Sequence, residues 1–163
     1  MRYLILVLLI TLVTGCGKDD HSAKNIALIE KYVQSVESQD YDGIASVLDD
    51  NYIGFGPSYG DSIQKPAALA NWKENITNLY ENITYKKSRS AAFTITDGDN
   101  QGEWVSNWAE LEITYKDDRG TITIWANTIY KIENDKIVKS LTFYNEADAL
   151  RQLGYVFINP NDL

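Results

Sequence analysis

The chain is poor in the residues that usually carry catalysis or cross-linking. It has one cysteine, Cys16, and one histidine, His21, among 163 residues. A lone cysteine has no intramolecular partner, so a disulfide framework is excluded. From Ser22 onward the chain holds neither imidazole nor thiol. Ser-His-Asp and Cys-His catalysis are excluded there, as are histidine-ligated zinc sites. Basic residues are scarce: 15 Lys and Arg stand against 23 Asp and Glu, a formal net charge of −8. Without a basic stripe to neutralise phosphates, nucleic acid is not an expected partner. Long apolar runs are missing too. The longest, Tyr3 to Val13, has 11 residues broken only by Thr11, too few to span a bilayer.

What is present begins with that run. Met1-Arg2 gives a short positive start, and Tyr3 to Val13 matches the apolar region of a signal peptide. Val13-Thr14-Gly15-Cys16 follows and resembles the bacterial lipobox, whose cysteine becomes lipidated. Lipidation gives the lone Cys16 a use, since each buried CH₂ contributes about 0.8 kcal/mol and two or three acyl chains anchor stably. The expected organisation is a signal peptide at 1–15, a polar tether at 16–25, one folded domain at 26–155 and a tail at 156–163. Lys18-Asp19-Asp20 resembles the export signal of some surface-displayed lipoproteins. The expected location is therefore a bacterial membrane, the outer one favoured, with the domain either periplasmic or on the surface.

The domain reads as α+β. Ile26, Ile29, Val33 and Val36 recur at helical spacing with Tyr32 beside them, which predicts a helix over 24–38. Asp40 is a good N-cap for a second helix over 41–48. Tyr52 to Phe55 suits a short strand. Pro66 opens a third helix, predicted over 65–81 by Leu69, Trp72, Ile76 and Leu79. The period then changes to two, with strands predicted over 83–89, 92–96, 103–115, 121–133 and 136–144 and a short helix over 147–153. The expected architecture is a curved antiparallel sheet wrapped around three N-terminal helices, a cone-shaped α+β barrel.

Strand parity divides the long strands into two faces. Asn107, Thr128 and Tyr130 fall on the helix-facing side. With Tyr32 and Trp72 from the helices they could line a small pocket, or fill a core with satisfied hydroxyls. Trp104, Trp108 and Trp125 fall on the other side. Three tryptophans on one sheet face suggest an interface.

The order of elements carries a resemblance. Its residues are Tyr32-Val33, Asp40-Tyr41-Asp42-Gly43-Ile44, Asp49-Asp50, Gly56-Pro57, the run Tyr130 to Val138, and Gln152-Leu153-Gly154. Over 26–155 the chain resembles the nuclear transport factor 2-like superfamily, in particular its SnoaL-like and ketosteroid-isomerase-like branches. That resemblance implies a shared cup used by isomerases, dehydratases, epoxide hydrolases, cyclases and non-catalytic binding domains, and a homodimer formed through the outer sheet face. An isomerase of this kind needs a carboxylate base and two donors for an oxyanion. The resemblance places the first donor on Tyr32, the base on Gly56 and the second donor near Thr128, so one position of three keeps its chemistry. No cofactor and no catalytic residue is assigned. The expected function is a membrane-anchored domain that binds a small apolar ligand or a protein partner without catalysis. The alternative is a cofactor-free isomerase or lyase, of ketosteroid-isomerase or polyketide-cyclase type, with an acid elsewhere.

Replacing Cys16 by alanine should move the protein from the membrane to the soluble fraction. Fractionation and immunoblotting test this, and unchanged membrane association would refute the anchor.

Overall fold

The computed structural model describes residues 21–162. The expected signal peptide and the lipidation candidate Cys16 lie outside the described residues. The element order is α1 (Ser22–Glu37), α2 (Tyr41–Val47), β1 (Leu48–Phe55), β2 (Ser62–Gln64), α3 (Lys65–Glu74), β3 (Tyr80–Ile95), β4 (Gly102–Tyr115), β5 (Gly120–Glu133), β6 (Lys136–Tyr144) and α4 (Glu146–Gln152). The six strands form one sheet in the order β2-β1-β6-β5-β4-β3. The fold is α+β with a curved sheet against the helices, as expected. The sheet is open and mixed, however, because β1 runs parallel to β6. On its other edge β1 pairs antiparallel with the short β2, which ends the sheet on that side.

Local chemistry explains the elements. α1 buries Ile29, Tyr32, Val33 and Val36, the stripe its spacing predicts. The Asp40 carboxylate caps α2 by accepting from the Gly43 N–H at 2.9 Å. Asn134 and Asp135 take φ of 50° and 61° and close the tight turn between β5 and β6. The core gathers α1, α2 and the inner face of the sheet around Ile29, Ile44, Ile122 and Ile137, all essentially inaccessible to water.

Three predicted boundaries differ from the structure. α3 ends at Glu74 and gives way to a wider π-helical turn, Asn75–Leu79, that delivers the chain into β3. Its carbonyls are satisfied from the β4–β5 turn: Lys116 donates to Ile76 and Thr77 at 2.9 and 2.6 Å, and Arg119 to Asn78 at 3.1 Å. The two strands predicted over 83–96 are one, β3, interrupted by a register shift between Lys86 and Arg89 where Lys87 has φ 53°. β1 begins at Leu48, and the shift between Leu48 and Ile53 takes up the polar Asp49-Asp50-Asn51 that suggested a helix end.

Parity holds along β4 and β5, which pair without a shift from Glu103↔Ile132 to Tyr115↔Gly120. Trp108 and Trp125 are 38% and 67% exposed on the outer face, with Phe143 at 51% completing the row Trp108↔Asn127↔Phe143. Trp104 departs from expectation. It is only 3% exposed, because its indole N–H donates to the Asn100 carbonyl at 2.8 Å and the ring folds against the β3–β4 turn. Among the described residues no helix is long and apolar enough to cross a membrane.

Candidate functional site

Between the helices and the inner face of β3–β6 lies a cavity of about 410 Å³. That volume is in the range of small-molecule sites. The five residues picked from the sequence, Tyr32, Trp72, Asn107, Thr128 and Tyr130, all line it. The interior is thus a cup rather than a filled core. Four more lining phenols were not picked: Tyr52 from β1, Tyr80 and Tyr85 from β3, and Tyr115 from β4; Tyr144 from β6 makes a fifth. In all, 7 of the 11 tyrosines of the chain face one cavity. Parity could have found Tyr85, which pairs with inward-facing Leu111. Tyr80 and Tyr144 were hidden because the strand ends they occupy were not fixed by pattern.

The deep end is a hydrogen-bonded set. The Trp72 indole N–H donates to the Tyr32 phenol oxygen, so the Tyr32 proton is left for another acceptor. Tyr32 and Tyr130 meet edge to face with centroids 5.6 Å apart. The Tyr52 hydroxyl pairs with Ser140 Oγ at 2.7 Å. Gly54 makes room for that pair, because a Cβ there would stand 2.5 Å from the Tyr52 hydroxyl. Thr128 pairs with Thr142 at 3.2 Å and hydrogen-bonds Tyr130. Asn107 has a different task. Its amide donates to Ser88 Oγ, the Arg89 carbonyl and Ser90 Oγ at 2.9, 3.3 and 3.1 Å, which stitches β4 to the bulged segment of β3.

The mouth lies where β3 begins and β4 and β6 end. Tyr80 and Tyr115 meet edge to face there at 5.5 Å, with Tyr144 beside them. α4 borders the opening with Ala149, Leu150 and Leu153. It is held by Gln152, whose carboxamide accepts from the Thr123 N–H and donates to the Thr123 carbonyl, both at 2.9 Å. These are the backbone groups of β5 that β6 does not reach.

Charge is nearly absent. Among the described residues Glu146, exposed at the rim, is the one charged residue that lines the cup. The other nearby acids stand outside. Glu37 accepts from the Tyr85 backbone N–H at 2.7 Å. Asp61 lies beside Gly56, where a Cβ on the glycine would be 3.8 Å from Asp61 Oδ2, but Asp61 is exposed and does not line the cup. None of Arg89, Arg119 and Arg151 lines it either. No group of three or more His, Cys, Asp and Glu side chains suited to a metal occurs among the described residues.

Burial keeps the phenols protonated. It pushes Tyr32 and Tyr130 well above the ordinary phenol range, reinforced by the neighbouring phenols and opposed by hydrogen bonds from Trp72 and Thr128 respectively. Tyr85 is raised by burial and then by Glu37, and Tyr80 is pushed up to about 12 by burial and by Tyr115 and Tyr144. Unfolding frees these phenols to ionise near pH 10. The stability they contribute is complete below that pH and is lost as pH rises toward 12. Urea midpoints between pH 8 and 11.5 should therefore fall above pH 10, and less steeply in Tyr85→Phe. A flat profile would contradict the buried phenol set.

No curated protein is similar enough in sequence to match. Among solved structures, an LEH-like epoxide hydrolase of M. tuberculosis superposes with a TM-score of 0.65 at 13% identity, covering 82% of this chain and 86% of that one. An NTF2-like protein of Burkholderia xenovorans LB400 superposes with a TM-score of 0.63 at 15% identity, covering 81% and 97%. At such identities the likeness is one of fold. The model of the SnoaL-like domain matches residues 29–140, from the middle of α1 to the Ser140 that bonds Tyr52. The chain belongs to the SnoaL-like domain family.

Proposed function

We propose that this is a membrane-anchored SnoaL-like domain that binds a small apolar ligand in its cup without transforming it. One observation carries the reading: the cavity is walled by neutral phenols and aliphatic side chains, with no carboxylate inside the rim. Proton abstraction next to a carbonyl needs a base within hydrogen-bond reach of the substrate. The position the family resemblance gives to that base is Gly56. An epoxide-hydrolase mechanism would need acids and an arginine around a water, and the lining holds no Asp or Arg. Binding has what it needs: apolar walls, and phenol and hydroxyl groups that can donate to one or two ligand oxygens. The anchor rests on the lipobox resemblance at Cys16 and would hold the cup at a bacterial membrane, periplasmic or at the surface.

A second reading has one observation in its favour, the Asp61 carboxylate beside Gly56. An isomerase or lyase would use Asp61 after a loop movement, with Tyr32 as oxyanion donor. The two readings separate with 4-phenylbutan-2-one as probe. Calorimetry should show saturable binding that Ala126→Phe, which fills the cup, abolishes. Proton NMR in D₂O should show no exchange of the protons next to the carbonyl above the buffer rate. Exchange that is accelerated by the unmodified protein and lost in Asp61→Asn would overturn the non-catalytic reading.

We further propose that the outer sheet face pairs with a second copy. Trp108, Trp125 and Phe143 are exposed together there, Trp108 and Phe143 in one cross-strand row and Trp125 beside it, while the neighbouring Glu110 and Glu112 are already paired with Lys87 and Lys86. A two-fold axis through this patch would set the three rings of one copy against those of the next and take both sets out of water. Sedimentation should give twice the monomer mass, and Trp125→Glu should return it to one. A monomer for the unmodified chain would refute the pairing.

A further inference from the structure

We propose that the rim of the cup is a subsite for a small organic ammonium group, held by the rings of Tyr80, Tyr115 and Tyr144 and by the Glu146 carboxylate, with the apolar body of the ligand entering the cavity. The inference rests on the ligand-binding reading above and names the ligand class for it.

Three features of the rim point the same way. First, the rings are grouped. Tyr80 and Tyr115 stand edge to face at 5.5 Å, and the Tyr80 hydroxyl is close enough to Tyr144 to feel its charge were it to ionise. Faces and phenol oxygens of this kind attract a cation, by roughly 0.5–1 kcal/mol per ring where water reaches and more where it does not. Second, the single carboxylate of the cavity stands at this ring cluster. Glu146 is close to the Tyr144 hydroxyl, whose ionisation it opposes. Third, nothing cationic lines the cavity.

The nearby cations are committed elsewhere. Lys116 Nζ donates to the Ile76 and Thr77 carbonyls. Arg119 is held by Asp117 at 3.3 Å and by the Lys116 and Asn78 carbonyls. Arg151 stacks over Phe157 at 5.5 Å on the outside of α4. Of these only Arg119 touches the electrostatics of a rim phenol, Tyr115. An anionic ligand would find no counter-charge in the cup, and burying it unpaired is costly. An ammonium at the rim keeps partial contact with water, so its desolvation is incomplete. The net charge of −8 favours the approach of a cation over that of an anion.

Benzyltrimethylammonium chloride and its neutral carbon counterpart, neopentylbenzene, have nearly the same shape and differ in charge. Titrated into the full chain in mild detergent and followed by tryptophan fluorescence, the ammonium should bind at least about tenfold more tightly, a difference of about 1.4 kcal/mol. Glu146→Gln should narrow that ratio several-fold. Tyr115→Leu should also narrow it, whereas Tyr115→Phe, which keeps the ring face and removes the hydroxyl, should preserve it. Thermal melts of each variant check that the fold is intact. Equal binding of the two probes, or a ratio unmoved by Glu146→Gln and Tyr115→Leu, would overturn the ammonium subsite while leaving the cup as a binding site. If neither probe nor 4-phenylbutan-2-one binds, the ligand-binding reading falls with it.

Discussion

Keeping an interior open yet uncharged is the constraint on which this molecule turns. Seven phenols share one cavity, and the deep ones, Tyr32, Tyr52, Tyr85 and Tyr130, must place a hydroxyl where water is scarce. The cost of burying them is met by local partners: Trp72 for Tyr32, Ser140 for Tyr52 and Thr128 for Tyr130. The side-chain polar atoms that are fully buried all have partners among the described residues. A cup built this way presents donors and ring faces while holding no group that changes charge near neutral pH. The proposal that the cup binds without catalysis rests on the same constraint, since removing a proton next to a carbonyl takes a positioned base.

The scaffold that keeps the cup open lies in β3 and β4. A sheet this long must curve to meet helices on one side, and the bulge at Lys86–Arg89 supplies the bend. Asn107 pins that bulge with its amide nitrogen. At the other end α4 borders the mouth, held through Gln152 on the unpaired edge of β5. Outer and inner faces are thereby separated: exposed aromatic rings outside, phenols inside.

Much of this was legible from residue patterns, for physical reasons that can be named. The stripe of α1, the Asp40 cap and the unbroken alternation of β4 and β5 are local signals, and the structure keeps each of them. What was not legible depended on distant partners. The end of α3 is set by Lys116 and Arg119, some 40 residues on, which satisfy the carbonyls of the π-helical turn. The parallel pairing of β1 with β6 joins the first and last long strands. Trp104 shares the parity of Trp108, but its indole N–H is held by the Asn100 carbonyl in the β3–β4 turn and the ring is buried. The rim cluster of Tyr80, Tyr115 and Tyr144 is assembled from three strands, so no single stretch announces it.

The central claim is that the cup retains a small molecule as it is. Native mass spectrometry of the full chain, released from its own membranes in mild detergent, tests this directly when compared with Ala126→Phe. The account predicts one unmodified low-mass adduct per chain in the native protein and a bare chain in the filled variant. Bare chains in both, or an adduct that survives filling of the cup, would contradict it.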